Sequence, residues 1–229
     1  ATSTGATGNG GGVYVAGGEF KLNGGTISGN TANGNGSTTQ GGGGVYFKGT
    51  NFNMTGGTIG AETAADANTA VNRGGGVHMA AGTFTMSGGI ISCNHANGYG
   101  GGVAVNDTSF TMSGNAVIRG NTTNSSGLGG GVSVSNSGTF NMSGGTVSGN
   151  TAGMGGGVYV YGGNFGKTSG GTIYGKVKED GTTEDSDLQN TASSDTNGHA
   201  VFVNSGPQKR NTTAGPTVNL NSGTGTNWE

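Results

Sequence analysis

Residues 10–32 read GGGVYVAGGEFKLNGGTISGNTA, and most of the chain is this stretch repeated with small changes. Its opening Gly-Gly-Gly-Val returns, whole or degenerate, at Val13, Val45, Val77, Val103, Val132, Val158 and Val201, at spacings of 32, 32, 26, 29, 26 and 43 residues. Seven or eight residues after each of the first six valines stands a phenylalanine: Phe20, Phe52, Phe84, Phe110, Phe140 and Phe165. Seven or eight further on comes a β-branched residue, Ile27, Ile59, Ile91, Ile118, Val147 or Ile173. An asparagine then closes the unit at Asn30, Asn68, Asn94, Asn121, Asn150 and Asn190, usually before Thr-Ala. Near-fixed spacing within a unit, with length variation between elements, is the mark of a solenoid.

Each unit holds three short runs of period two, such as Val13-Tyr14-Val15, Phe20-Lys21-Leu22 and Thr26-Ile27-Ser28. Alternation places Val13, Val15, Phe20, Leu22 and Ile27 on one face and Tyr14, Lys21, Thr26 and Ser28 on the other. Runs this short complete their backbone hydrogen bonds only by stacking on the same runs of neighbouring units. The pattern therefore predicts an all-β fold, a single-stranded parallel β-helix of about seven coils with three short strands per coil, spanning residues 1–229 as one domain. The general rule for parallel crossovers makes it right-handed. At about 4.8 Å per coil the rod is about 34 Å long. Stacked asparagines are expected to form a structural ladder, and Trp228 to cover the last coil.

Composition agrees with this reading. Of 229 residues 56 are glycine and two are proline, without the Gly-X-Y period of collagen. Interior helical glycine costs about 1 kcal/mol against alanine, which excludes a helical domain, whereas tight stacked corners favour glycine. The hydrophobic fraction, 29%, is low enough for disorder by composition alone, but disorder has no such period. The formal charge is −2 and no basic run exists, so nucleic acid is excluded as a partner. No apolar run is long enough to insert in a membrane as a helix. The chain starts at Ala1 and reads as a segment of a longer secreted protein. The single cysteine, Cys93, sits where other units carry Gly29 or Gly149 and reads as a small turn residue.

Three inserts depart from the minimal unit: residues 31–44, 60–67 and 174–189. Glycan-cleaving β-helices need converging carboxylates, yet Glu19, Glu62, Asp66, Asp107, Asp195 and Glu229 fall at different unit positions, apart from the Glu62/Asp66 pair. The reading is therefore a non-enzyme with no cofactor. A polysaccharide lyase or hydrolase whose acids converge from the third insert is the alternative. Asp180, Glu184, Asp185 and Asp187 of that insert are weak metal candidates, lacking the EF-hand spacing, and His78, His95 and His199 share no zinc spacing. On the outward face, Tyr14, Tyr46, His78, Ala104, Ser133, Tyr159 and Phe202 align on the first sheet. Tyr14, Tyr46 and Tyr159 are the ligand-contact candidates, for a host or environmental glycan or protein. A threonine rank through Thr26, Thr58, Thr146 and Thr172 raises ice binding as a minor alternative, interrupted at Ile90 and Val117.

The alternation of Gly-Gly-Gly-Val with Ile-Ser-Gly-Asn-Thr-Ala, as at Ile27 to Ala32, and of its variant at Val147 to Ala152, resembles the GGA(I/L/V) and FxxN repeats of chlamydial polymorphic outer membrane proteins. It is similar as well to repeat-rich surface proteins of spirochaetes and gut anaerobes. The resemblance covers nearly the whole chain. It implies an extracellular or cell-surface β-helical stalk or adhesin-like module and transfers no catalytic residue.

Overall fold

Strands of two to five residues hold few hydrogen bonds each, so they persist only where every one is flanked by its own repeat. A computed structural model of the chain shows this arrangement. The structure describes every residue except 5–7, 35–38, 169, 177–184, 195–196, 206–207, 211–217, 221–225 and 229, and describes only the backbone of 208–210, 218–220 and 226–228.

The chain winds as a parallel β-solenoid with four sheets along it, not three. The first sheet is built from the Gly-Gly-Gly-Val runs, from Val13–Val15 to Val201–Ser205. The second carries the phenylalanines, from Glu19–Leu22 to Asn164–Lys167 and on to Gln208–Arg210. The third carries the β-branched residues, from Thr26–Ile27 to Thr172–Ile173. The fourth, absent from the sequence expectation, runs from Thr2–Thr4 and Thr31–Asn33 through the later Thr-Ala pairs to Thr191–Ala192. In it the first residue of each pair faces out, while Ala32, Ala70, Ala96, Ala152 and Ala192 are buried. A two-residue run is too short to show alternation, which is why composition and period miss it.

The count of seven coils also changes. Six turns contain all four strands, and the last wind ends in strands that reverse direction. Val218–Leu220 pairs antiparallel with Gln208–Arg210, and Thr226–Trp228 pairs antiparallel with Val201–Val203, so backbone covers the final edges of the first two sheets.

Register is maintained residue on residue: Phe20, Phe52, Phe84, Phe110, Phe140 and Phe165 pair in one column. Their rings lie 4.9, 4.3, 4.6, 4.8 and 5.5 Å apart, close to the strand spacing that imposes the stack. Met54, Met86, Met112, Met142, Ile59, Ile91, Ile118 and the paired valines complete one continuous core. At the N-terminal end Val13, Val15, Phe20 and Ile27 are only partly buried.

The asparagine ladder runs inside the corner between the third and fourth sheets. Each Nδ2 donates to the Oδ1 of the next asparagine, at 2.8–3.0 Å from Asn30 to Asn190. From Asn68 onward it also donates to the carbonyl of Ile27, Ile59, Ile91, Ile118 or Val147. Buried amides fully satisfied in this way cost the core little.

The glycine triplets close the other corner. Gly43, Gly44 and Val45 donate to Gly74, Gly75 and Gly76, so the ladder continues through a stretch without side chains. A Cβ on Gly75 would lie 2.5 Å from the Gly101 carbonyl oxygen. The coils are therefore packed too closely at this corner for any other residue.

Candidate functional site

The first sheet's outer face differs from the exposed aromatic stripe that alternation predicts. Tyr14 is 54% exposed, but Tyr46, His78, Ala104, Ser133, Tyr159 and Phe202 are all below 10%. The stripe divides into an N-terminal group, where Tyr14 stacks on Tyr46 at 5.2 Å and Tyr46 meets His78 edge-on, and a C-terminal pair, Tyr159 on Phe202 at 5.8 Å. Ala104 and Ser133 lie between them and leave a depression.

Part of the burial comes from these ring contacts, and part from the residue immediately before each glycine triplet. Gly41, Arg73, Tyr99, Leu128 and Met154 bridge one another in a parallel column outside the named strands. The glycine after each of the last four is left-handed, as at Gly74 with φ +61°, and a Cβ there would meet the Val77 carbonyl oxygen at 2.2 Å. The turn thus doubles back across the start of the strand, bringing the preceding side chain over the sheet. In the coil of Tyr46 the column residue is Gly41, and in the coils of Ala104 and Ser133 it is Tyr99 and Leu128, while Arg73 and Met154 occupy it in the coils of His78 and Tyr159.

Arg73, Tyr99, Leu128, Ser135, Asn136, Tyr159 and Tyr161 line a groove of about 200 Å³ in this depression. The Arg73 guanidinium lies 4.5 Å over the Tyr99 ring, and its Nη1 donates to Ser135 Oγ at 3.1 Å. Ser135 Oγ in turn donates to Asn106 Oδ1. Arg73 is 8% exposed, and its Nε has no hydrogen-bond partner. Burial pushes its pKa down, against the Tyr99 and Asp107 charges that raise it. Asp107 itself is held low chiefly by hydrogen bonds from Ser137, then Asn136. His78 is pushed down to about 3 by burial and then by Arg73, so it is neutral at ordinary pH. Burial raises the Tyr46 and Tyr159 phenols.

Of the three tyrosines expected to contact ligand, Tyr14 lies free at the N-terminal end, Tyr46 is buried away from solvent, and Tyr159 forms part of the groove wall beside half-exposed Tyr161. Sequence reasoning missed Arg73, Tyr99 and Tyr161. The available signal was the variable residue preceding each invariant-length glycine triplet.

A second hollow, about 270 Å³, lies on the third sheet's outer face, lined by Thr26, Thr58, Glu62, Asp66, Ile90 and Arg119 among others. The 60–67 insert reaches it through the Ala61 amide on Ser92 and the Asp66 carbonyl, which accepts from Gly29. Cys93 is left-handed at φ 54°, like Gly29 and Gly149, and its Sγ donates to the Glu62 carbonyl.

Among the weak metal candidates, Asp185 and Asp187 are exposed, while Asp180 and Glu184 lie outside the described residues, as does Asp195. Among the described residues no three His, Cys, Asp or Glu side chains gather as a metal site requires. His95 Nδ1 bonds Thr122 Oγ1 at 2.8 Å and His199 Nδ1 accepts from the Ala192 amide, in separate places. Among the described residues no helix is long and apolar enough to cross a membrane.

No protein-family model, curated protein or solved structure matches the chain.

Proposed function

We propose that this chain is a non-catalytic, extracellular or cell-surface contact module, adhesin-like, whose rigid solenoid presents the Arg73–Tyr161 groove to a glycan. The observation that carries this reading is the convergence of Tyr99, Tyr159 and Tyr161 with a buried arginine and the polar Ser135 and Asn136 in one small open groove. Aromatic faces with a few convergent polar groups are what a sugar ring requires. The repeat resemblance to bacterial surface proteins supports the location. Binding to a panel of host and microbial glycans, mucin and matrix proteins tests it. The intact protein is expected to retain particular glycans and to lose them in Tyr161→Ala. No retention of any glycan would leave a spacer, which holds other parts of a surface protein apart.

A second reading, glycan cleavage, draws on the hollow that brings Glu62, Asp66 and Arg119 to one face. Release of reducing ends or unsaturated products from pectin, alginate or host glycans, abolished by Glu62→Gln, would favour it over the contact module.

A further inference from the structure

Arg73 is a buried cation whose contacting groups are neutral, with the Asp107 carboxylate acting on it only from beyond ion-pair distance. An arginine stays charged in proteins, and burying a charge without a counter-charge is expensive. Here Nη1 is bound to a serine hydroxyl, the plane rests on Tyr99, and Nε has no partner. Asp107, whose charge reaches Arg73, accepts hydrogen bonds from Ser137 and Asn136 and makes no ion pair with the guanidinium. The side chain is held in one orientation at the wall of an open groove, its Nη1 on Ser135 and its plane on Tyr99, so the guanidinium sits pre-organised beside whatever enters.

We propose that the groove takes a uronic acid unit of an acidic glycan, its carboxylate on the Arg73 guanidinium and its ring against the tyrosines; this rests on the glycan-contact reading above. Arginine's planar fork matches a carboxylate, and charge-assisted bonds there are the strong ones. A free inorganic anion would leave the exposed Tyr161 ring unused. A nucleic acid is held through many phosphate contacts along its backbone, whereas among the described residues Arg73 is the one cation lining the groove, enough for the carboxylate of a single ring. At about 200 Å³ the space is below the ~300 Å³ at which drug-sized sites begin, which suits a single ring of a longer chain.

The test is calorimetric and NMR titration of the whole protein at fixed ionic strength with tetragalacturonate, a glucuronate-containing tetrasaccharide and an alginate tetramer. Each is repeated as its methyl ester, beside neutral cello- and manno-tetraose, sodium acetate and sodium sulfate. At least one uronate is expected to bind about tenfold or more tightly than its ester, with shifts at the Ser135, Asn136 and Tyr161 amides. Arg73→Gln should erase that ratio while ester binding persists. Because Arg73 is buried, Tyr161→Ala, at an exposed position, serves as the second variant and should weaken acid and ester alike. Equal affinity for acid and ester, or for the neutral tetraoses, overturns the carboxylate assignment and leaves the glycan reading standing. Binding of sulfate or acetate as tight as the uronates, or shifts elsewhere on the solenoid, overturns it too. Silence toward every glycan removes both.

Discussion

His78 remains neutral because its imidazole lies beneath the outer column beside Arg73. The unfolded imidazole, near 6.5, takes up a proton that the folded one refuses until about pH 3. The unfolded state therefore binds more protons between these values, and stability, complete above pH 6.5, falls by about 1.4 kcal/mol per pH unit toward 3. Thermal melts from pH 7.5 to 4.5 should show this decline, and His78→Phe, with the side chain that Phe202 places in the same column, should flatten it. A slope unchanged in the variant would assign the acid sensitivity elsewhere. The asparagines make a second case at this scale. Asn121→Ala orphans the Asn94 amide, one Asn94 Nδ2 proton and the Ile91 carbonyl, and should cost about 3 kcal/mol or more in denaturant unfolding. Asn30→Ala, at the N-terminal end, releases the Ala1 amino group and the carbonyl of exposed Ser28 to water and leaves Asn68 Oδ1 accepting from the Asn30 amide, and should cost only about 1 kcal/mol.

Among the elements, the two glycine-rich corners press on opposite neighbours: an added Cβ on Gly75 would meet the Gly101 carbonyl oxygen of the following coil at 2.5 Å, and one on Gly88 the Thr55 carbonyl oxygen of the preceding coil at 2.5 Å. Gly24, in the first coil, has no preceding coil beneath it, and so nothing lies within 4 Å of an added Cβ and its φ is not left-handed. Gly75→Ala should therefore lower Tm severely or prevent folding. Gly24→Ala should leave Tm unchanged or raise it, by a gain of about 0.4–1 kcal/mol from the unfolded chain. The outer column escapes this crowding: an arginine, tyrosine, leucine or methionine is accepted just before the triplet because its side chain leaves the tight corner and lies on the first sheet. Variation there alters the groove without touching the coil.

Over the whole molecule, the backbone of each coil pairs only with its neighbours, so damage should spread according to position. Phe84→Asp places a charge in the middle of the ring stack, between Phe52 and Phe110, and should abolish the cooperative fold. Phe20→Asp, at the half-buried end, should fray the first coil and leave the rest protected from hydrogen exchange. Global loss in both would show a single cooperative unit in place of a stack. The sequence by itself determined the solenoid, its inward residues and the asparagine ladder, because each rests on a period that one coil hands to the next and the ladder hydrogen bonds preserve. It did not determine the fourth sheet, since Thr-Ala pairs are shorter than the alternation that identifies a strand. Nor did it determine the groove: Arg73 and Ser135 stand 62 residues apart, and the register and the turn-back at Gly74 bring them together. Repetition makes local order legible, but a site made by side chains of different coils meeting outside a sheet follows no period, and only winding the chain places them.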